Sequence, residues 1–190
     1  MIIGITGGFG TGKSTVAGLF KAKGAYIIDA DRINHGLLKE KTVINKIHRI
    51  FGKGVLRKAK TIDRKALAKE VFGSKRNLER LCRITHPLII SKIRENIKKI
   101  NKNRLIVIDA PLLIEADLRK FINFLIVVKA GPETSLKRLK RKGFLKNEVF
   151  TRRRMQIPLR NKLKLADFVI DNNGSMENLA QQVNRIFRAL

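Results

Sequence analysis

The chain has 190 residues, 44% of them hydrophobic, which is enough for one well-cored domain with an insertion or lid but not for two independent domains. Its 42 Lys and Arg stand against 15 Asp and Glu, and the resulting charge of +27 attracts polyanions: nucleotides and phosphorylated metabolites, nucleic acid or anionic lipid. A single cysteine, Cys82, excludes an intrachain disulfide, and no apolar run reaches the length of a membrane span or follows a basic leader, so a cytoplasmic protein without a membrane partner is expected.

Residues 2–6 are apolar and β-branched and read as a buried strand. They run into Gly7-x-x-x-x-Gly12-Lys13-Ser14, after which Thr15-Val16-Ala17-Gly18-Leu19-Phe20 continues with helical spacing. A strand that ends in glycines and opens a helix turns successive backbone N–H groups toward one point. The helix amino terminus adds partial positive charge and Lys13 a full one, while the Ser14 hydroxyl is placed to ligate magnesium. Gly8, Gly10, Thr11, Gly12, Lys13, Ser14 and Thr15 are therefore the expected cradle for the phosphates of ATP. The plain alternative is a glycine-rich turn without a ligand, and the flanking strand and helix argue against it.

A second strand-like run, 25–28, ends in Asp29-Ala30-Asp31. Ligands of parallel sheets bind beyond the carboxyl ends of the strands, so these carboxylates belong near the phosphates. Asp31 has two readings: a base that accepts the proton of an acceptor hydroxyl, or the N-cap of a helix starting at Arg32. About 75 residues then precede the next strand, far more than one crossover needs, so 32–103 is an insertion. Its pattern is mostly helical: 32–39, 42–51, 62–72 with Asp63 as cap, and a long helix interrupted at Pro87, with Gly52 and Gly73 as stops. His86 has no partner at metal-ligand spacing, which argues against zinc. It is either structural or, with Thr85, at the amino end of a helix restarting at Pro87, where an anionic group can bind.

The third run, 105–108, ends in Asp109, the form of a magnesium-holding Walker B aspartate, although strands also end in Asp for turn reasons. Pro111 stops the strand, and Leu112 and Leu113 read as packing, with Leu112 also a candidate acceptor contact. After a fourth run, 124–128, a helix starts at Pro132 and a basic helical hairpin extends to Leu165. Within 137–164 Glu148 is the one acid among twelve Lys and Arg. This block is either a lid closing over ATP, with Arg138, Arg141 and Arg152 neutralising the transferring phosphoryl group, or a solvated surface, and we expect lid for those three and surface for the rest. Phe144 and Phe150 are too few to make a stacking platform for single-stranded nucleic acid. A fifth run, 168–170, and an amphipathic helix over 175–190 complete an alternation that specifies an α/β fold, a parallel sheet covered by helices.

Together these motifs resemble the dephospho-coenzyme A kinase family nearly end to end. The family opening G-[LI]-T-G-G-x-x-[GS]-G-K-[ST] is met from Gly4 through Ser14, with Phe9 and Thr11 standing where the family often has Ile and Ser. D-A-D is met at Asp29 to Asp31, I-D-R-x-x-L-x-x-x-V-F at Ile62 to Phe72, and I-x-H-P at Ile84 to Pro87. D-x-P-L-L-x-E follows at Asp109 to Glu115, then Arg152, Gln156, Pro158 and Lys162, and A-D-x-x-I-D-N-x-G at Ala166 to Gly174.

The resemblance implies a P-loop kinase with a five-stranded parallel sheet: a core of 1–31, 104–136 and 165–190, a helical acceptor-binding insertion of 32–103 and a lid of 137–164. It implies transfer of the γ-phosphoryl of ATP to the ribose 3′-hydroxyl of dephospho-coenzyme A with Mg2+. Asp31 would be the base, Lys13 and Ser14 would serve phosphate and metal, Asp109 the metal, the Asp171-Asn172-Asn173-Gly174 turn, Asn173 and Gly174 in particular, the adenine, and Thr85, His86 and Leu112 the acceptor. The chain is one residue short before the lid, which leaves Arg141 and Lys142 both in line for the lid arginine's place. Two other readings stand beside this one: a nucleoside or nucleotide kinase, and a nucleic-acid-binding ATPase working through the basic surface, for which nucleic acid would be a partner rather than an incidental ligand. A monomer or weak homo-oligomer is expected.

Overall fold

Continuous apolar runs need cover on both faces, and the structure, a computed structural model that describes residues 1–101, 103–154 and 156–190, provides it with helices. β1 (Ile2–Gly7), β2 (Tyr26–Asp29), β3 (Ile106–Asp109), β4 (Phe124–Lys129) and β5 (Phe168–Asp171) pair in one parallel sheet of order β2-β3-β1-β4-β5. The helices of the described residues are α1 (Lys13–Ala22), α2 (Ala30–Leu37), α3 (Lys41–Phe51), α4 (Arg64–Phe72), α5 (Lys75–Lys99), α6 (Pro132–Arg141), α7 (Lys146–Arg154), α8 (Leu159–Lys164) and α9 (Met176–Ala189). The fold is that of an α/β protein with a five-stranded parallel sheet.

The chain divides into two units, each with its own core: Met1–Asp29 with Lys99–Leu190, and Ala30–Lys98. In the first, Ile3, Ile5, Val107, Ile126 and Ile170 of the sheet pack with Val16 and Phe20 of α1 and with Leu179, Val183 and Ile186 of α9. The last three fall at i, i+4 and i+7, the apolar stripe of an amphipathic helix, and the Ser175 hydroxyl caps α9 by accepting the Asn178 amide at 3.3 Å. Register sets the working edge. Ile5 pairs with Asp109, Asp29 with Asp109, and Gly7 with Val128, so the carboxyl ends of β1, β2, β3 and β4 lie side by side.

The second unit is built on Leu38, Val43, Ile47, Val55, Ile62, Leu67 and Val71. Asp63 caps α4 as expected, accepting from the Lys65 amide at 2.9 Å and the Ala66 amide at 3.1 Å, and the Ala66 bond chiefly holds its carboxyl below the ordinary value. One expectation fails here: Pro87 does not interrupt the long helix, because α5 continues through it for 25 residues. Proline removes the donor to the Arg83 carbonyl and crowds it. Packing outweighs this cost, since Leu78, Leu81, Ile84 and Leu88 recur at helical spacing against the core on both sides of the proline. Thr85 adapts to the same turn by donating its hydroxyl to the Leu81 carbonyl at 3.1 Å, a bond that helices accept by bending.

Pro87 is exposed, so little burial is lost on its removal. Pro87→Ala restores the donor to Arg83 and should stabilise the protein by up to about 3 kcal/mol, read as a higher urea midpoint at unchanged slope. A lower midpoint would mean that the ring's packing is worth more than the helical hydrogen bond.

Candidate active site

The path of the loop after β1 depends on glycine backbone conformations. Gly7 and Gly12 take φ values of +154° and +91°, and a Cβ on Gly7 would lie 2.2 Å from the Val128 carbonyl oxygen. One on Gly12 would lie 2.1 Å from the Asn172 side-chain nitrogen. Gly12 immediately precedes α1 and has no side chain to cap it, which leaves the first N–H groups of the helix for an anion. Thr11 closes a turn onto the Gly8 carbonyl, its amide at 3.3 Å and its hydroxyl at 3.0 Å. The Lys13 ammonium lies back over the loop and donates to the carbonyls of Gly8 at 3.1 Å and Gly7 at 3.4 Å. Ser14 and Thr15 are exposed in the first turn of α1.

A brace from distant chain holds this loop. The Asn172 side chain, only 5% exposed, donates to the Thr11 carbonyl at 2.8 Å. Arg138 of α6 donates to the same carbonyl at 3.5 Å and to the Asn172 Oδ1 at 3.4 Å. Asn173 turns outward instead, accepting from the Gly131 amide at 2.7 Å and donating its side-chain amide to Asp171 at 2.6 Å. Gly174 follows it, against Asn178 of α9. Burial by itself would raise the Asp171 carboxyl, but the Lys129 ammonium at 3.2 Å and the two Asn173 bonds outweigh it and hold it below its ordinary value. Within the Asp171 to Gly174 turn expected toward adenine, the residue that touches the P-loop is thus Asn172, the asparagine that the A-D-x-x-I-D-N-x-G pattern specifies, and not Asn173.

At the neighbouring strand ends Asp109, 8% exposed, terminates β3. Asp109 and Ser14 supply a carboxylate and a hydroxyl, hard oxygen donors of the kind magnesium takes while keeping its other positions for phosphate and water. Among the described residues no cluster of three or more His, Cys, Asp and Glu could hold a metal by itself. Beyond Asp109, the Pro111 carbonyl accepts from the Thr6 hydroxyl at 3.3 Å and from Lys162 Nζ at 2.7 Å. Lys162 also pairs with Glu115 at 2.9 Å, and Glu115 accepts the Ile157 amide at 3.0 Å. Lys162 therefore corrects the expectation that the rest of the basic block is surface, because its side chain is fully buried. A lysine is buried only with a counter-ion and acceptors for its N–H groups, and Glu115 and Pro111 provide them. Leu113 is fully buried packing, while Leu112 is half-buried.

In the helical unit Asp31 is the second residue of α2, so it is not the N-cap of a helix starting at Arg32. A carboxylate in the first turn still faces the positive end of the helix dipole. No helix restarts at Pro87, so Thr85 and His86 lie within α5 and not at its amino end, and Thr85 is 4% exposed. A groove of about 490 Å³ instead opens in this unit between α3 and α5. Lys46, Arg80 and Arg83 surround its apolar floor of Ile50, Ile84, Pro87 and Leu88.

The family model for dephospho-CoA kinase matches residues 1–178. The chain belongs to the dephospho-CoA kinase family. The dephospho-CoA kinases of Carboxydothermus hydrogenoformans and Aquifex aeolicus are 42% and 38% identical to it, over 98% and 99% of this chain and 93% and 96% of theirs. The solved dephospho-CoA kinase of Campylobacter jejuni is 30% identical and superposes with a TM-score of 0.71 over 98% of this chain and 95% of that one. Shikimate kinase from Acinetobacter baumannii, 16% identical with a TM-score of 0.57 over 99% and 93% of the two chains, shares the fold alone. As a dephospho-CoA kinase the protein is an enzyme, a phosphotransferase that phosphorylates dephospho-coenzyme A with ATP in the last step of coenzyme A biosynthesis.

The three arginines of residues 137–164 expected over ATP stand in different surroundings. Arg138 reaches the P-loop, and Arg152 of α7 lies over the Phe9 ring. Arg141 ends α6 exposed to solvent. The Asn172 brace gives a direct test: Asn172→Ala leaves the buried Thr11 carbonyl short of a donor, at a cost of about 1–3 kcal/mol. The kcat/KM for ATP should fall by one to two orders of magnitude with the fold intact by circular dichroism, and an unchanged value would show that Arg138 alone suffices.

Proposed function

We propose that the β1–α1 loop, from Gly8 through Thr15, binds the phosphates of ATP and that the γ-phosphoryl passes to the ribose 3′-hydroxyl of dephospho-coenzyme A. The observation that carries this reading is the P-loop itself: an uncapped helix end and a lysine beside strand ends that carry Asp29 and Asp109. In this assignment Lys13 neutralises phosphate charge, Arg138 holds the loop and meets the nucleotide, and the turn of Asn173 and Gly174 lies toward adenine. Ser14 and Asp109 would hold magnesium, which when bound draws negative charge off the phosphate oxygens.

Asp31 is assigned as the base. Its carboxylate accepts the proton of the 3′-hydroxyl as that oxygen bonds to the γ-phosphorus, and the bond from phosphorus to the β–γ bridging oxygen breaks to release ADP. No covalent intermediate is needed, because phosphoryl transfer depends on positioning and charge stabilisation. For the acceptor, the groove between α3 and α5 suits dephospho-coenzyme A. Its three cations match a pyrophosphate, its apolar floor matches the pantetheine arm, and its volume lies in the range of small-molecule sites. His86 and Thr85, adjoining Pro87 in α5, take at most a supporting part beside that groove. We place the enzyme in the cytoplasm. Its one cysteine, Cys82, is free, and burial, with Glu79 adding to it, pushes its thiol up and makes it a poor nucleophile. No described helix is long and apolar enough to cross a membrane.

The deciding assay measures ADP release from MgATP with dephospho-coenzyme A, with a nucleoside panel, with RNA and with no acceptor, accompanied by mass spectrometry of the acceptor. One added phosphoryl group on dephospho-coenzyme A alone is expected. Turnover driven only by nucleosides or RNA would overturn the acceptor assignment and make the basic surface the working part.

Two substitutions separate the roles. Asp31→Asn should leave ATP binding nearly intact and lower kcat by about 10² to 10⁴, the range for loss of a general base; unchanged turnover would reduce Asp31 to a charge at a helix end. Lys13→Ala should weaken nucleotide binding and transfer together, measured as ADP formation across an ATP titration. Retained activity would remove Lys13 from the phosphate site.

A further inference from the structure

The segment 137–164 contributes a ring to the P-loop as well as charge. Phe144 lies in the connection between α6 and α7, just after Gly143, whose φ of +82° turns the chain. It packs edge-on against Phe9, with ring centroids 5.2 Å apart and ring planes at 81°. The guanidinium of Arg152, on α7, lies over both rings, its carbon 5.5 Å from the Phe9 centroid and 5.1 Å from that of Phe144. Phe9 stands within the P-loop between Gly8 and Gly10. The cradle there is made of backbone N–H groups, which would serve whatever side chain occupied position 9. A phenyl ring at that position is therefore surplus to phosphate binding, and its partners indicate its use.

We propose that Phe9 and Phe144 are positioning residues that hold the Arg152 guanidinium beside the phosphate loop, so that Arg152 meets the transferring phosphoryl group already oriented. An arginine cation over aromatic rings is attracted by their quadrupoles, and the planar guanidinium carries a fork of N–H donors suited to phosphate oxygens. A long arginine otherwise loses side-chain freedom when it engages a ligand, and contact with the two rings removes part of that freedom beforehand. Within the lid this singles out Arg152, whereas Arg141 is exposed at the end of α6. The same contact gives Phe9 a role suited to this chain, since Ile, common there in the family, offers no π face. The proposal rests on the reading of 137–164 as a lid that stabilises the transferring phosphoryl group.

The test is steady-state kinetics on the full chain, with dephospho-coenzyme A saturating and ATP varied, for Phe9→Leu, Phe144→Leu, Arg152→Ala and the double variant Phe9→Leu/Arg152→Ala. Arg152→Ala should lower kcat by about 10³, in the range for an arginine acting on a phosphoryl transition state. Phe9→Leu and Phe144→Leu should each lower kcat by about tenfold with the KM for ATP moved less than about twofold, and Phe9→Tyr, which keeps a ring, should recover most of the loss. In the Arg152→Ala background, Phe9→Leu should have almost no further effect, because its action runs through that arginine. An equal loss in both backgrounds would show that Phe9 acts on the loop itself and would overturn the proposal, as would a kcat that rises when either ring is removed. If Arg152→Ala keeps full kcat, the lid reading fails and the proposal with it. If Arg152→Ala is crippled while both ring variants are unaffected, the lid reading stands and the positioning proposal alone is lost. Binding of a fluorescent ATP analogue checks that the loop is intact, and Phe144→Leu, outside the loop, carries the test if Phe9→Leu disrupts it.

Discussion

Parallel strands in one sheet all end on the same edge, and the chemistry of this protein depends on that constraint. A parallel pair cannot be joined by a tight turn, so each strand must leave the sheet from its carboxyl end and travel before it returns. The consequence is that Gly7, Asp29, Asp109 and Lys129, distant in sequence, lie next to one another at the ends of β1, β2, β3 and β4. Each departing segment then carries one function. The P-loop leaves β1, the helical unit with Asp31 leaves β2, the Pro111 to Glu115 segment leaves β3, and the helices bearing Arg138 and Arg152 leave β4.

Such an edge would be only a row of loops without interactions that fix their shape. Polar contacts to two backbone carbonyls do this. Asn172, beyond β5, fixes the Thr11 carbonyl, while the Pro111 carbonyl takes the hydroxyl of Thr6, the residue before Gly7, together with the Lys162 ammonium. Both use a side-chain donor on a backbone acceptor, so neither occupies an amide of the loop, although the Thr11 amide itself closes onto the Gly8 carbonyl. This matters because a loop whose N–H groups were satisfied internally would have little to offer a phosphate.

Sequence carries the parts of this design that are local. Five apolar runs announce five strands, Asp63 its cap, and Gly7 through Ser14 its loop, because each depends on neighbours within a few residues. The contacts that fix the site are not local. Asn172 and Asn173 are identical in type and adjacent, yet one is buried on the P-loop and the other turns outward to Gly131. Only the end of β5 decides which faces inward. Pro87 misleads for the reverse reason. A local rule says that the helix stops, and the tertiary packing of Leu81, Ile84 and Leu88 overrides it.

The basic block is where composition informs least and geometry most. Twelve cations between 137 and 164 look alike as letters, but their surroundings give them four different tasks. Lys162 is a buried ion pair, Arg138 a brace on the P-loop, Arg152 a cation over the Phe9 and Phe144 rings, and Arg141 with Lys140 and Lys142 a solvated helix end. The first three are held by directional contacts in partly or wholly desolvated places, where salt screens weakly. The solvated ones act through their summed field within about 8–10 Å of the surface at ordinary ionic strength. Since ATP and dephospho-coenzyme A are both polyanions, that field raises their encounter rate without adding to specificity, and added salt removes it while leaving the buried pairs in place. Net charge thus sets how often the substrates arrive, and the few ordered cations set what happens when they do.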